Sequence, residues 1–407
     1  MRRRSTFGAV GVVVAGLLIT TACGTGTGGN GAGTGAASST GAPTSSAPPK
    51  PVVSPALLDV GKYPTTPRPP LGTAGNPATG AVSDAQHMAD FVIGPWEADE
   101  SLVGTYLNSY YVINTPMVLQ QLGPQGIAAA AAQHRMINGF ASGRQDPDKT
   151  AMVNAVLRFP DPAAAAAASR AMGDAAVGQP IKGITPTVAA IPGHPDAVTS
   201  TYPFTPNGSD KARATVRSFT PHGPYVLMQF VQSVDGLERA TALVGKAIDA
   251  QGPVIDGFTP AADLAAVPLD PTGLLARTLP AVVAETAKNA VYATRGAEHF
   301  QSNPVGSKRL FSDTGTTEVA MGNTNVYQAK DEGSAVLITN AFSDEISSSG
   351  MAPADTVAAL PDSHCYALPK AFYCVAPAGR YAIEARSEQL ADVHQQLSAQ
   401  YVMLTAK

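Results

Sequence analysis

The chain has 407 residues, of which 44% are hydrophobic and 14% charged, and a formal net charge of −4. So slight an acidic balance excludes the basic stripe by which proteins hold nucleic acid, and it gives no electrostatic grip on anionic lipid. The hydrophobic content at this length is enough for one large core or two ordinary ones.

Arg2, Arg3 and Arg4 precede an apolar run over residues 7–19 and the small residues Thr20, Thr21 and Ala22. A positive start, a short apolar stretch and a small-residue cleavage point read as a secretory signal over residues 1–22, too short to cross a bilayer unaided. Phe7 falls one place too late for a twin-arginine signal, so the general secretory route is expected. Cys23 follows directly, in an arrangement similar to the lipobox of bacterial lipoproteins, although Thr20 stands where that motif usually has Leu, Val or Ile. The resemblance implies lipid attachment at Cys23 through a diacylglyceryl group, which supplies the two acyl chains that stable anchoring needs. Plain secretion with a free thiol is the alternative. Loss of residues 1–22 removes three arginines and no acid, moving the formal charge from −4 to −7. The membrane is then a partner through the lipid alone, and the expected location is the outer face of the cytoplasmic membrane, facing the cell envelope.

Residues 23–55 are nearly all Gly, Ser, Thr, Ala and Pro, a composition that cannot bury enough apolar surface to order itself and reads as a flexible tether. Gly24, Gly26 and Gly29 spell GxGxxG there, but no strand precedes and no helix follows, so dinucleotide binding is not inferred.

Residues 56–258 are expected to form a first α+β domain. Its proline-rich opening, "LLDVGKYPTTPRPPLG", reads as an extended strap, followed by helices at residues 83–93 and 125–138. The strand "AMVNAVLRF" runs into a helix that Asp161 is placed to cap and Pro162 to start. Strands follow around residues 197–202, 212–220 and 225–232. A closing helix begins at Asp235, where Glu238 completes capping-box spacing and Leu237, Ala240, Val244 and Ile248 trace an apolar stripe.

Residues 259–407 repeat that plan as a second α+β domain. "TNVYQAKDEGSAVLITNAF" offers a strand, Asp331 as a cap and a helix; "CYALPKAFYCVA" offers a hairpin; a strand and a final helix close the chain. In that helix Leu390, Val393, Leu397, Tyr401 and Leu404 keep one face apolar. The fold class is therefore α+β: two related domains of β-α-β-β-β-α plan, each an antiparallel sheet with helices packed on one face. Accidental recurrence of a common motif is the competing reading. Cys365 and Cys374, an even pair once Cys23 is lipidated, are expected to staple the hairpin as a disulfide, with a metal pair or a redox dithiol as rivals.

The segments "LDVGKYPTTPRPPLG", "INGFASGRQDP" and "NAVLRFPDPAAAA", taken with the lipobox, resemble a domain-of-unknown-function family of actinobacterial cell-envelope lipoproteins of mycobacterial and nocardial type. The similarity covers nearly the whole mature chain. It implies a lipid-anchored two-part ectodomain, and it carries over no catalytic residue.

Motifs for chemistry are sparse. GxSxG, SxxK and GxxxxGK[ST] are missing, and the seven histidines include no HExxH and no close pair. His87 with Asp90 and His194 with Asp196 read as ordinary polar neighbours; Asp99-Glu100 and Asp331-Glu332 suit helix starts. No catalytic residue, metal ligand or cofactor is therefore assigned. Trp96, the single tryptophan, with Tyr106, Tyr110 and Tyr111, forms the best candidate binding surface, core packing being the commoner use of such residues. The leading expectation is a non-enzymatic module that binds an unknown envelope protein or small ligand; a hydrolase with a site assembled from distant residues and a scaffold without a ligand are the alternatives.

Overall fold

A strand buried along both sides demands cover on both faces of its sheet, and Thr150–Arg158 is such a strand, buried at every position except the last. The computed structural model describes residues 53–281 and 288–406. The signal-like segment, Cys23 and the tether up to residue 52 lie outside the described residues.

The first sheet contains β1 (Gly104–Ile113), β2 (Asn138–Asp146), β3 (Thr150–Arg158), β4 (Thr187–Val188), β5 (Val198–Phe204), β6 (Arg213–His222) and β7 (Tyr225–Ser233), in the order β1-β2-β3-β7-β6-β5-β4. All pairings are antiparallel. Its helices are α1 (Pro77–Met88), α2 (Pro95–Ala98), α3 (Gln125–Gln133), α4 (Pro162–Gly178) and α5 (Gly236–Ile255). Ala141, Val153, Ala155, Leu157 and Met228 meet α3 and α4 on one face. Phe140, Met152, Val156 and Leu227 meet α1 and α5 on the other.

The second sheet contains β8 (Ala290–Ala293), β9 (Glu318–Met321), β10 (Thr324–Gln328), β11 (Ala352–Ala354), β12 (His364–Leu368), β13 (Ala371–Ala378) and β14 (Tyr381–Ser387). Read from β8, its order is β8-β9-β10-β14-β13-β12-β11, the same permutation as the first. With it go α6 (Thr294–Glu298), α7 (Pro304–Asp313), α8 (Glu332–Ser348) and α9 (Leu390–Thr405). The chain is α+β with two antiparallel sheets, as its sequence pattern implies. Helices cover both faces of each sheet, a detail that single apolar stripes did not reveal.

The same devices recur at equivalent places. Asp161 accepts a cap bond from the Ala164 amide and Asp331 from the Ser334 amide, both at 2.7 Å. In the first domain Gln251 of α5 accepts from the Ile93 amide at 2.9 Å and donates to the Phe91 carbonyl at 2.8 Å, while Asn154 of β3 donates to its Oε1. In the second, Gln400 of α9 accepts from the Leu279 amide at 2.7 Å and donates to the Arg277 carbonyl at 2.8 Å, while Thr324 of β10 donates to its Oε1. Each glutamine thus pins a preceding segment by two backbone groups that no sheet can satisfy.

Register extends the equivalence across the sheets. Thr199, Ser218, Gln229 and Asn154 form one transverse row, and Cys365, Cys374, Ala385 and Thr324 form its counterpart. Where Thr199 donates a hydrogen bond to Ser218 at 3.2 Å, Cys365 and Cys374 are joined in a disulfide.

Several sequence expectations need correction. Asp235 makes no side-chain cap, because Gly236 in the left-handed region (φ +92) turns the chain there; Leu237 is exposed rather than part of the stripe. The helix expected over residues 125–138 stops at Gln133, and Asn138 already belongs to β2. The helix expected from residue 83 starts at Pro77, capped by Asn76. The strap packs on the second domain: Leu58 joins its core, and Tyr63 donates to Asp392 of α9 at 2.8 Å. It then passes to the first domain through residues 72–75, which are hydrogen-bonded side by side with the return segment 265–269 (Ala74 N to Val267 O and Leu269 N to Gly72 O). No helix among the described residues is long and apolar enough to cross a membrane.

Candidate functional site

The face of the first sheet that carries Ala155, Leu157 and Met228 is closed by α3 and α4. Register places Asn325, Tyr327 and Glu384 at the equivalent positions of the second sheet, since Asn325 pairs with Glu384 as Ala155 pairs with Met228. Three apolar side chains are thus replaced by polar ones on a surface that a sheet normally seals. Against that face lies a cleft of about 430 Å³, with the face as floor and residues of β1, β2 and the segment after α6 as walls.

The polar floor is internally satisfied. Glu384 Oε2 accepts from Asn325 Nδ2 and from the Tyr327 hydroxyl, both at 2.8 Å. Burial in the first place, and then the Glu384 charge, push the Tyr327 and Tyr373 hydroxyls well above the usual phenol range, so both remain neutral donors.

The opposite wall comes from a break in β1. Thr105 pairs with Arg144 and Tyr110 with Ser142, so four residues of β1 bulge over one of β2. Leu107 (φ 51) and Ser109 (φ 64) take left-handed conformations that cost non-glycine residues of order 1 kcal/mol each. The bulge brings Thr105, Asn108, Ser109 and Tyr110 to the cleft, where Tyr110 packs on Phe300 with ring centroids 4.3 Å apart.

Arg144 of β2 borders the cleft at the base of this wall and is 1% exposed. Its Nη2 donates to the carbonyls of His299 and Gln301, both at 2.8 Å, and Nη1 to that of Val103 at 3.3 Å, while Nε has no partner. Among the described residues no carboxylate pairs with it, and burial alone pushes its guanidinium down to about 10. The Trp96 ring lies 5.6 Å from its Cζ. Lys288 and Arg386 also line the cleft, without ion pairs among the described residues.

Next to Arg144 stands His299, fully buried. Its Nε2 lies 3.1 and 3.0 Å from the carbonyls of Ala89 and Val92, and Nδ1 lies 2.9 Å from the Ser142 hydroxyl. Two carbonyls require Nε2 to carry the proton, so Nδ1 accepts from Ser142. Burial, reinforced by the Arg144 charge, pushes the imidazole down to about 3, so it is neutral at ordinary pH. Asp90 accepts from the amides of Ala293 and Gly296 and is pushed up to about 6, chiefly by burial.

A smaller cavity of about 390 Å³ is lined by Arg295, Glu298, Lys308, Ser312 and Thr316 among others. Burial pushes the Glu298 carboxyl up to about 7, with Lys308 and Arg295 pulling it down and Glu97 pushing it up. Glu97 pairs closely with Arg295.

The four aromatic residues singled out from sequence do not share a surface. Tyr110 lines the cleft; Trp96, 2% exposed, packs behind it against His299; Tyr106 and Tyr111 pack into the α3–α4 side of the first domain. His194 faces Asp249 at 3.3 Å rather than Asp196. Among the described residues, the three-member group close enough to hold a metal is Cys365, Cys374 and His394, and the disulfide ties up two of its members. Sequence reasoning missed Arg144, Tyr327 and Glu384. The available signal was the alignment of "NAVLRFPD" with "TNVYQAKD", which sets Tyr327 against Leu157.

Comparison with known proteins gives two matches in chain order. Domain of unknown function (DUF7373) N-terminal matches residues 71–269, and Domain of unknown function (DUF7373) C-terminal matches residues 274–407. No curated protein matches. Among solved structures, the extracellular domain of PknH from Mycobacterium tuberculosis is similar at 15% identity over 37% of this chain and 81% of that one, with a TM-score of 0.26, too loose a superposition to define a shared fold. With both halves of the family matched in order, the chain belongs to the DUF7373 family of domains of unknown function.

Proposed function

We propose that this chain is an actinobacterial-type lipoprotein, anchored by Cys23 on the outer face of the cytoplasmic membrane, whose cleft is a non-enzymatic binding site for a small ligand or a segment of an envelope partner. The observation that carries the binding role is the exchange of Ala155, Leu157 and Met228 in one domain for Asn325, Tyr327 and Glu384 in the other, which gives the floor of the cleft polar groups where the equivalent face is apolar. A cleft of this size is within the range that accommodates small molecules. The signal-like pattern ending at Cys23, and the pairing of the remaining two cysteines, support the location.

The test is affinity capture from intact membranes, with Cys23→Ser as control, followed by native mass spectrometry. Palmitate labelling of the parent chain, its loss in the variant, and a co-purified molecule displaced by Glu384→Met are expected. An unlabelled residue 23 overturns the anchor; turnover of an envelope substrate with no stable complex overturns the binding role. A hydrolase reading has one observation in its favour, the Glu298 carboxyl held near neutrality in the smaller cavity. Under that reading Glu298→Gln abolishes turnover.

A further inference from the structure

The cleft carries more positive than negative charge, and its most buried charge is uncompensated. Among the described residues Arg144, Lys288 and Arg386 line it, with Glu384 as the one carboxylate. A guanidinium that is 1% exposed and has only carbonyl partners retains most of its desolvation cost, because three neutral acceptors do not cancel a formal charge. Its Nε is buried without a partner, as is that of Arg217, so the distinction of Arg144 lies in its place on the cleft rather than in that donor.

Comparison of the domains points the same way. Arg386 stands where the first domain has Phe230, and Tyr373 where it has Arg217, by the pairing of Tyr373 with Arg386 and of Arg217 with Phe230. In the first domain that arginine is covered by the Phe230 ring, 4.4 Å from its Cζ, and donates to the Leu122 carbonyl. In the second domain the cation has moved to the exposed strand position beside the cleft and makes no ion pair among the described residues.

Resting on the reading of the cleft as a binding site, we propose that it takes a small phosphate- or carboxylate-bearing molecule. Its anionic group sits among Arg144, Lys288 and Arg386, and its hydroxyls donate to Glu384. Such a ligand supplies the counter-charge that the fold withholds from Arg144, and the carboxylate on the floor rejects anions that bring no hydrogen-bond donor.

Trp96, the only tryptophan in the chain, lies against Arg144 and reports on it directly. The full-length protein in neutral detergent is titrated with glycerol 3-phosphate, and with glycerol as the neutral control, while Trp96 emission is followed. Saturation by glycerol 3-phosphate and none by glycerol is expected, with affinity falling as salt rises. Lys288→Gln and Arg386→Gln, both away from the core, weaken binding about 2- to 5-fold each. Arg144→Leu weakens it about 30-fold, the scale of a hydrogen bond to a charged group. Because that change also frees three carbonyls, the two milder variants decide the matter if Arg144→Leu fails to fold. Mixed micelles containing phosphatidylglycerol or phosphatidylcholine separate the sources: a response to phosphatidylglycerol alone assigns the anion to a lipid headgroup, and a response to glycerol 3-phosphate assigns it to a soluble molecule. No saturation by either anion, or equal affinity in the Lys288 and Arg386 variants, overturns the proposal. Equal binding of glycerol and glycerol 3-phosphate overturns the anion while leaving the cleft a binding site.

Discussion

The two domains share one strand permutation, one helix-capping device and one glutamine clamp, yet they differ in what lies under their helices. In the first, both faces of the sheet are closed, and the positions of Ala155, Leu157 and Met228 are apolar. In the second, one face keeps its disulfide-braced core against α9, while the other exchanges Leu157 and Met228 for Tyr327 and Glu384. On the binding reading proposed above, one copy serves as a support and the other carries the site. The comparison teaches that equivalent positions of one plan can change polarity while the strand order and the register of the central strands are kept.

The clamps offer the sharpest way to break this equivalence. Gln251→Leu strands the Ile93 amide and the Phe91 carbonyl, and Gln400→Leu strands the Leu279 amide and the Arg277 carbonyl. At 1–3 kcal/mol for each buried group left unpaired, each variant is expected to lose about 3 to 5 kcal/mol in urea unfolding, and the two losses to agree within about 1 kcal/mol. A loss in one domain alone shows that the shared geometry hides different roles.

The transverse rows come next. Thr199→Cys with Ser218→Cys places two thiols where the second domain has its disulfide, and the bridge should form and add about 3 kcal/mol over the reduced form for a loop of this length. Intact mass without reductant and thermal unfolding with and without it check this. Cys365→Thr with Cys374→Ser should cost about 2 to 3 kcal/mol and still fold, the hydroxyl pair serving as it does in the first domain.

A smaller effect on stability, but a complete one on binding, is expected from Tyr327→Leu with Glu384→Met, which gives the second face the side chains of the first. Stability should fall by about 2 kcal/mol, because the buried Tyr327 ring packed on Phe342 is cut back while Glu384→Met conserves volume, and ligand capture is lost. Retained capture would place the site elsewhere.

The subtlest test is pH. Glu298 and Asp90 have folded-state values raised to about 7 and about 6, above their values of 4.5 and 3.8 when unfolded. Between those limits the native state holds more protons, so their contribution to stability falls as pH rises from about 4 to 7. His299 acts in the opposite sense: with its folded value lowered to about 3, the unfolded state binds more protons below 6.5, and stability is lost as pH falls. Glu298→Gln should flatten the decline between pH 5 and 7.5 in urea midpoints and leave the acid loss intact. An unchanged slope would assign the proton elsewhere.

Much of the fold was legible because it rests on local chemistry. Asp161-Pro162 and Asp331 mark helix starts through short-range bonds, and the strands around residues 198, 213 and 225 are apolar enough to stand out. Asp235 misled because a glycine with positive φ follows it and diverts the chain before its side chain can reach an amide. The strap was legible as extended but not in its destination, since contact with Asp392 spans 329 residues of sequence. The site was hidden for the same reason. Arg144 is defined by carbonyls at residues 103, 299 and 301, and no window of sequence contains them together. Tyr110 was reached through its aromatic character, whereas Tyr327 and Glu384 became visible only when strand register set them beside Leu157 and Met228.

The passage between domains has a mechanical corollary. The chain enters the first domain through residues 72–75 and leaves through 265–269, and these two strips are bonded along their length. A single linker behaves as a swivel, but two strips bonded to each other resist torsion. The buried bonds of Arg144 to the His299 carbonyl and of Asp90 to the Gly296 amide cross the same junction, so the strips brace one edge of a seam that is already fastened at its centre.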